Sequence, residues 1–257
     1  MIRRGDNINY SNYIPEYLKL LENFKESEYF GKYSVTNHIQ KAFLRPNGIG
    51  QYYKKYKMKY KENFNVSECI EITKDEHPKI CGGVVEHLTK IKLLRQLNRE
   101  LIELELFKKY INPSCTISNE EIAFLLYGFD IFERVALHYT DNIMNDKVKI
   151  IEKASKLASI AMDLINETFP NIEKVDLHPQ GHVFYDGKLA IKGDSDLAIN
   201  NCLIEFKCKK DYKLSSEDAA QLFAYGLHKY IREGESFEKI YVLNPRFNML
   251  QEVVLNK

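Results

Sequence analysis

The sequence predicts an α/β protein with a mixed central β-sheet, helices on its flanks and a mainly helical N-terminal portion. Two observations support this fold class. Before residue 170, apolar residues recur at helical spacing, as they do at Leu94, Leu97, Leu101 and Leu104. From residue 174 onwards, β-rich segments alternate with turn signals, and one helical segment lies among them.

The helical portion is expected to contain several separate helices. A short extended piece begins the segment 33–43, and Thr36 is the predicted cap of its helix. A long amphipathic helix is expected to open at two glycines, and Pro170 is expected to end the last helix. The predicted helical segments are 13–30, 33–43, 81–110, 119–139 (as one helix or two) and 145–169.

The remainder is expected to form the sheet and one further helix. Turn signals stand at Asp186-Gly187 and Asn200-Asn201. The helix is predicted over 215–234, with acidic residues in its first turn and Gly234 at its end. The predicted strand segments are 174–179, 182–199, 201–209, 239–244 and 251–256.

Composition excludes several classes of protein. The 257 residues carry a formal net charge of +1, so contact with nucleic acid would have to come from a local basic patch. No apolar run approaches the roughly 18 residues of a membrane span, and the N-terminus lacks the apolar core of a signal peptide. We therefore expect an intracellular protein without membrane contact. The odd count of five cysteines, without a secretory signal, argues against a disulfide framework. The absence of a CxxC pair argues against a zinc ribbon.

Two acidic residues and a lysine form the chemically informative part of the predicted sheet. Asp196 follows Gly193 at the end of one strand, and Glu205 and Lys207 alternate onto one face of the next. Two neighbouring carboxylates repel one another unless a cation lies between them, and oxygen ligands favour Mg²⁺ or Mn²⁺. Such a metal polarises a phosphoryl oxygen, while Lys207 could orient the attacking water. Taken alone, these residues could equally belong to a solvated strand edge.

Gln221 and Tyr225 add a third piece, because they share one face of the following helix. With them the chain resembles the RecB-like branch of the PD-(D/E)xK nuclease superfamily. The resemblance implies a restriction-endonuclease-like core and metal-dependent nuclease activity, with the Gln and Tyr supporting the active site and the DNA strand. The matching motifs are Gly193-x-x-Asp196, Glu205-x-Lys207 and Gln221-x-x-x-Tyr225.

The same family has an earlier helical motif, GxxxH or GxxxE, whose last residue binds the metal or lies next to it. Gly83 to His87 and Gly82 to Glu86 satisfy the two versions. We favour His87 over Glu86, so the predicted metal-binding set is His87 or Glu86 with Asp196 and Glu205. The alternative is a purely structural histidine.

Other residues near these motifs receive more ordinary interpretations. Asp194 is interpreted as a solvated turn acid, although contact with the metal through water is an alternative. His178 and His182 flank a turn that contains Pro179 and Gly181, so a helical zinc pair is excluded. They are interpreted as structural or as facing the substrate.

The resemblance extends further in a looser form. The Ser-Val-Thr segment within 33–40 is similar to one in the mitochondrial genome maintenance exonuclease group, and the motif set is also similar to CRISPR-associated RecB-like nucleases. No cysteine follows Cys208, so the iron–sulfur cluster of some relatives is not expected. Residues 1–80 are predicted to be a helical, DNA-contacting segment, and 81–257 the nuclease core with a helical insertion at 88–168.

The stretch 51–61 combines lysines and tyrosines without an acidic residue. Lysines neutralise phosphates and tyrosines stack on unpaired bases, so the stretch is a candidate DNA-binding segment. The alternative is a solvated helix face whose tyrosines are turned inward. The candidate DNA-binding residues are Lys54, Lys55, Lys57, Tyr52, Tyr53 and Tyr56.

The sequence therefore predicts an Mg²⁺- or Mn²⁺-dependent deoxyribonuclease, and an exonuclease acting on single-stranded DNA ends in particular. The helical segment 88–168 is long enough to form an arch over the site, and a strand threaded beneath an arch must enter by an end. The alternatives are an end-independent endonuclease of restriction or junction-resolving type and a non-catalytic DNA-binding subunit on the same fold.

Overall fold

The computed structural model describes residues 8–40, 48–99, 117–135 and 140–256. Within them, a six-stranded sheet runs in the order β1-β8-β7-β6-β5-β2, and β3 and β4 form a separate two-stranded hairpin. The strands are β1 (Met58–Tyr60), β2 (Val175–Asp176), β3 (Val183–Tyr185), β4 (Lys188–Ile191), β5 (Leu197–Ile199), β6 (Cys202–Phe206), β7 (Lys239–Asn244) and β8 (Met249–Leu255).

Most of the described chain before β2 is helical, and one more helix connects β6 to β7. Short 3₁₀ helices at Tyr10–Tyr13, Lys74–Glu76 and Pro245–Phe247 accompany them. The α-helices are α1 (Ile14–Lys25), α2 (Val35–Gln40), α3 (Ile49–Lys55), α4 (Pro78–Gln96), α5 (Asn119–Val135), α6 (Asp141–Asn145), α7 (Lys147–Thr168) and α8 (Ser216–Glu233). The predicted α/β class, with a mixed sheet, flanking helices and a helical N-terminal portion, is confirmed.

The sheet is mixed because β6 and β7 pair in parallel, whereas the other pairs are antiparallel. A parallel pair needs a crossover connection, and α8 provides it. The antiparallel β5 and β6 are joined directly at Asn200-Asn201, where φ is 47° and 63°. Positive φ at both central residues matches the twist of a tight hairpin. Asp186-Gly187, with φ of 51° and 69°, closes the β3–β4 hairpin in the same way.

Both faces of the sheet are covered, because its strands alternate apolar side chains between two cores. Leu203 and Val242 belong to a core that includes Phe223 of α8 and residues of the N-terminal helices, such as Tyr17 and Tyr53. The opposite core is built from the remaining strand positions and from α4 and α7, at Leu93, Ala161, Met162, Ile165, Leu197, Ile199, Ile204 and Leu243. The sheet thus lies between two helical layers.

A third apolar cluster joins α4, α5 and α7 beside the sheet, with Leu88, Phe124 and Leu157 all fully buried in it. Burying apolar surface on each of these helices stabilises the group. Within the described residues, no helix has both the length and the apolar character needed to cross a membrane.

Several helix boundaries differ from the sequence predictions. Helix α1 ends at Lys25, five residues before the end of the predicted helix 13–30. Helix α4 begins at Pro78, before the glycine pair, and ends at Gln96, where the Arg99 N–H donates to the Leu94 carbonyl at 2.8 Å. The predicted helix 81–110 is therefore wrong in both bounds, and Leu101 and Leu104 lie outside the described residues. Helix α2 is capped by Ser34 instead of Thr36, since the Asn37 N–H donates to Ser34 Oγ at 3.3 Å.

Candidate active site

Asp196 and Glu205 are brought together by the β5–β6 hairpin. In that hairpin Leu197 pairs with Ile204, so the register continued by one residue places Asp196 opposite Glu205. The Phe206 N–H donates to Asp196 Oδ2 at 2.7 Å and fixes the carboxylate at the end of β6. The predicted neighbourhood of the two carboxylates is therefore present in the structure.

This part of the site is strongly acidic. Burial raises the pKa of Asp196 well above its ordinary value, and the charges of Glu205 and Glu86 raise this pKa further. The ammonium groups of Lys90 and Lys207 offset part of the effect. Glu205 is only 3% exposed. Its Oε2 atom has no hydrogen-bond partner within the part of the chain that the structure describes.

Lys207 lies at the centre of the polar contacts. Its Nζ donates to Glu205 Oε1 at 2.8 Å and to Gln221 Oε1 at 3.0 Å. Burial by itself would lower the pKa of Lys207, but the carboxylates of Glu205 and Asp196 outweigh burial and raise the pKa. The side chain therefore keeps its positive charge beside the two acids.

Gln221 connects Lys207 to Tyr225. Its Nε2 donates to the Tyr225 hydroxyl at 2.8 Å and to Thr36 Oγ1 at 3.2 Å. Burial raises the pKa of Tyr225 well above its ordinary value, and Glu205 and Asp196 add to this, so the hydroxyl stays protonated. Helix α8 presents both side chains to β6 because they are separated by about one turn. Thr36, predicted as a cap, instead lies beside this network.

Asp218 is a member of the cluster that the sequence did not single out. It is 6% exposed, and its Oδ1 lies 3.4 Å from Lys207 Nζ and 2.7 Å from Lys209 Nζ. It also accepts a hydrogen bond from the Ser215 hydroxyl at 2.7 Å, within a capping box at the start of α8. The only sequence signal was an acidic first turn, which is common at helix N-termini whatever the function.

Glu86 and His87 point to different parts of the molecule. The charge of Glu86 raises the pKa of Asp196, and Glu86 Oε1 accepts a hydrogen bond from Lys90 at 2.6 Å. His87 Nε2 lies 2.9 Å from an oxygen of Asp130 in α5, and its ring centroid is 6.0 Å from that of Tyr127. The His87 side chain thus faces α5, whereas the charge of Glu86 acts on the pKa of Asp196. A metal-binding role for either residue stays a prediction.

The glycine pair that opens the early motif has a packing function. A Cβ on Gly82 would lie 3.1 Å from Cys208 Cβ, and one on Gly83 would overlap the ring of Tyr127. The two glycines therefore allow α4 to approach the segment after β6 on one side and α5 on the other.

The remaining histidines and Asp194 lie outside this network. The Gly193 N–H donates to His182 Nδ1 at 3.0 Å. The Asp194 side chain is 60% exposed and lies 3.9 Å from His182. The His178 N–H donates to Asp176 at 3.1 Å. These contacts fit the structural interpretation of His182 and the solvated interpretation of Asp194.

Two tyrosines of 51–61 are buried and do not offer a stacking surface. Tyr52 and Tyr53 are 3% and 0% exposed. The Tyr53 hydroxyl lies 2.7 Å from that of Tyr17 and 2.8 Å from His228 Nε2. The Tyr56 ring is stacked on Phe223, with centroids 4.5 Å apart. The prediction that the Tyr52 and Tyr53 rings contact bases is therefore wrong, because they fill the core between α3 and α8. Tyr56 is half-buried, and its contact with a base stays a prediction.

The lysines of the same stretch differ among themselves. Lys55 bonds to Glu16 Oε1 at 3.0 Å, and Lys54 is half-buried. Lys57 is exposed at the start of β1. A role for these three lysines in binding DNA stays a prediction.

Among the residues that the structure describes, no group of three or more His, Cys, Asp or Glu side chains is arranged to hold a metal ion. Within the same residues, the cysteines at 69, 81, 202 and 208 are free thiols. No family model, no curated protein and no solved structure matches this chain.

Proposed function

We propose that the protein is a metal-dependent deoxyribonuclease that hydrolyses phosphodiester bonds. Its proposed catalytic residues are Asp196, Glu205 and Lys207. The observation that carries this proposal is the continuous set of hydrogen bonds from Glu205 through Lys207 and Gln221 to Tyr225. These residues belong to separate motifs of the sequence, and one site contains them all. An ordinary strand edge has no need for a buried acid and lysine bonded to a Gln–Tyr pair.

The donor set fits a hard divalent cation such as Mg²⁺ or Mn²⁺. Asp196 and Glu205 would hold it through carboxylate oxygens, which such ions prefer. Glu205 Oε2, buried and without a hydrogen-bond partner in the described structure, supplies an oxygen that such a ligand would satisfy. When bound, the metal supplies Lewis-acid polarisation of a phosphoryl oxygen and lowers the pKa of a bound water.

We propose Glu86 instead of His87 as the metal-binding residue that accompanies Asp196 and Glu205. Glu86 adds to the negative charge around Asp196, whereas His87 is engaged with Asp130. An all-oxygen set follows from this assignment. Such a set does not carry the preference for Mn²⁺ that an imidazole ligand would give.

Lys207 is the positive group of the proposed mechanism. Its ammonium donates hydrogen bonds to Glu205 and Gln221. The remaining N–H can donate a hydrogen bond to the attacking water or to a phosphate oxygen. A fixed donor stabilises developing charge on the phosphate without having to reorganise during the reaction. Gln221 and Tyr225 keep that donor in place.

We further propose that the enzyme acts from the ends of single-stranded DNA inside the cell. The charge of Glu86 in α4 raises the pKa of Asp196. The segment 88–168 therefore begins two residues after a side chain that acts on the site. The predicted arch would also involve residues 100–116, which lie outside the described residues. An endonuclease on the same catalytic core remains the alternative, since fold analogy does not fix the mode of action.

The experiment compares a labelled linear single strand with the same sequence closed into a circle, each with Mg²⁺, Mn²⁺ or a chelator. We expect the linear strand to be degraded only with metal and the circle to survive. Rapid metal-dependent degradation of the circle would establish the endonuclease alternative. Absence of cleavage with either metal would contradict the nuclease proposal itself.

A further inference from the structure

A short exposed loop leaves β6 directly after the candidate catalytic lysine. All its residues, 209–213, are exposed, and lysines outnumber the one acid, Asp211. Tyr212 is among the large apolar side chains left exposed, at 36%. The loop therefore combines positive charge with an exposed aromatic ring next to the site.

The loop is anchored near both of its ends. At the first end, Lys209 Nζ bonds both oxygens of Asp218 at 2.7 and 2.8 Å, and Asp218 lies 3.4 Å from Lys207. At the second end, the Tyr60 hydroxyl donates to the Tyr212 carbonyl at 2.6 Å. The loop is thus tied to the site through Asp218 and to the edge of the sheet through β1.

Other aromatic rings pack against the Tyr212 ring. It meets Phe247 edge-on at 5.6 Å and Phe64 at 6.2 Å between centroids, and Phe64 meets Tyr60 at 5.1 Å. Edge-to-face contacts are a preferred arrangement of aromatic pairs and fix ring orientation. A ring that is held in this way and still exposed is preorganised for stacking, because little side-chain entropy is left to lose.

We propose that residues 209–213 form a platform for an unpaired segment of the substrate strand, with Tyr212 stacked on a base. This inference rests on the proposed nuclease function and specifies its substrate as DNA unpaired next to the cut. Since the chain spans at most about 3.4 Å per residue, Tyr212 lies within about 17 Å of Lys207. Base faces are open to stacking only when unpaired.

Lys210 and Lys213 supply the charge that this platform needs. Lys210 lies 3.5 Å from Glu71, and both side chains are 68% exposed. An ion pair this exposed contributes little stability, so a phosphate can replace the carboxylate at small cost. Lys213 is exposed on the same loop. The platform takes over the stacking role that the buried tyrosines of 51–61 cannot perform.

The test is DNA binding by the full chain in the presence of a chelator, so that no strand is cut. Tyr212→Leu keeps an apolar side chain and removes the ring, whereas Tyr212→Phe keeps the ring. We expect Tyr212→Leu to bind a single-stranded oligonucleotide about tenfold more weakly and Tyr212→Phe within about twofold of the wild type. Duplex affinity should be almost unchanged in both.

Two further measurements separate stacking and charge from a structural effect. A strand with 2-aminopurine should lose fluorescence on binding to the wild type and Tyr212→Phe, and keep it with Tyr212→Leu. The double change Lys210→Gln and Lys213→Gln should flatten the salt dependence by about 0.7 for each phosphate that is no longer neutralised. Lys188→Gln with Lys192→Gln, two exposed lysines at the β3–β4 hairpin, is the matched control and should leave the salt dependence unchanged.

The inference is overturned if the wild type binds no single strand, if Tyr212→Leu binds it as tightly as the wild type, or if single-strand and duplex affinities fall together. Failure of the nuclease proposal looks different. In that case the wild type cuts no DNA with Mg²⁺ or Mn²⁺, whatever the effect of Tyr212 on binding. If the wild type cuts DNA and Tyr212→Leu binds and cuts it equally well, the platform proposal is contradicted and the nuclease proposal stands.

Discussion

Lys207 depends on three oxygen partners, and the residue scale is where their separate contributions can be measured. Glu205 and Gln221 belong to the predicted motifs, whereas Asp218 does not. Asp218 is buried, and although burial by itself would raise its pKa, Lys207 and then Lys209 lower it. It therefore stays ionised and acts on Lys207 as a positioning residue.

We predict that Asp218→Asn lowers the single-turnover cleavage rate at saturating DNA by about tenfold or more. The reason is that Asp218 forms a buried ion pair with Lys207 at 3.4 Å, and a tenfold loss of rate corresponds to only about 1.4 kcal/mol of lost positioning. The DNA dissociation constant should change by less than about twofold, because the new amide oxygen can still accept from Lys209 and the second anchor of the loop, from Tyr60 to the Tyr212 carbonyl, is untouched. Rapid-quench kinetics and a chelator-based binding assay measure the two quantities.

Ser215→Ala is the matched control for this prediction. It removes the cap of α8, at a cost of about 1 kcal/mol in stability, and leaves Asp218 beside Lys207. If both variants lose the same stability and the same rate, Asp218 is only a capping residue. A rate loss confined to Asp218→Asn supports the positioning role.

At the scale of elements, the sequence predicted most reliably those features that local chemistry determines. Asn200-Asn201 and Asp186-Gly187 adopt positive φ, as their residue types allow. Helix α8 has the predicted acidic first turn and ends at Gly234 as predicted, because caps and turn residues act within a few positions.

Features that depend on distant contacts were not predictable in the same way. Helical periodicity continues past residue 96, yet α4 ends there. Nothing in the spacing of 51–61 shows that Tyr53 meets Tyr17 and His228 across the core. The two versions of the early motif differ by one residue, and only the packing of α4 against its neighbours turns His87 toward Asp130 of α5.

The contact between α4 and α5 gives the prediction at this scale. Gly83→Ala should destabilise the protein by roughly 1–3 kcal/mol, because the new methyl group overlaps the Tyr127 ring. An Ala elsewhere in a helix would normally be favoured over Gly. Denaturant unfolding measures the change in free energy.

Tyr127→Ala provides the background that isolates this overlap. In that background Gly83→Ala should be neutral or stabilising, and the two changes together should show strong coupling. Equal destabilisation with and without the Tyr127 ring would mean that the glycine serves some other purpose.

At the scale of the whole molecule, a buried histidine of α8 joins the N-terminal helices to the loop before β3. His228 is fully buried, with Nε2 2.9 Å from the Tyr17 hydroxyl and Nδ1 2.8 Å from the Gly181 carbonyl oxygen. Burial lowers the pKa of His228 from 6.5 to about 3. The folded chain therefore binds a proton here less readily than the unfolded chain does.

This difference makes stability depend on pH in a definite direction. The contribution of His228 is fully present above pH 6.5 and is lost as pH falls from there toward about 3. Between pH 7.5 and pH 5, the wild type should lose about 2 kcal/mol more unfolding free energy than His228→Gln does. Urea unfolding at both pH values tests this, and parallel losses in the two proteins would show that His228 does not stay neutral when buried.

The most direct test of the central claim is the metal-dependent cleavage rate of Asp196→Asn set against Asp194→Asn. The two acids are neighbours, but Asp196 lies opposite Glu205 whereas the Asp194 side chain is 60% exposed. With Mg²⁺ and a labelled single strand, Asp196→Asn should lose activity by about three orders of magnitude, as expected when a catalytic metal ligand is removed. Asp194→Asn should remain close to the wild type. Wild-type cleavage by a folded Asp196→Asn protein would contradict the assignment of this site.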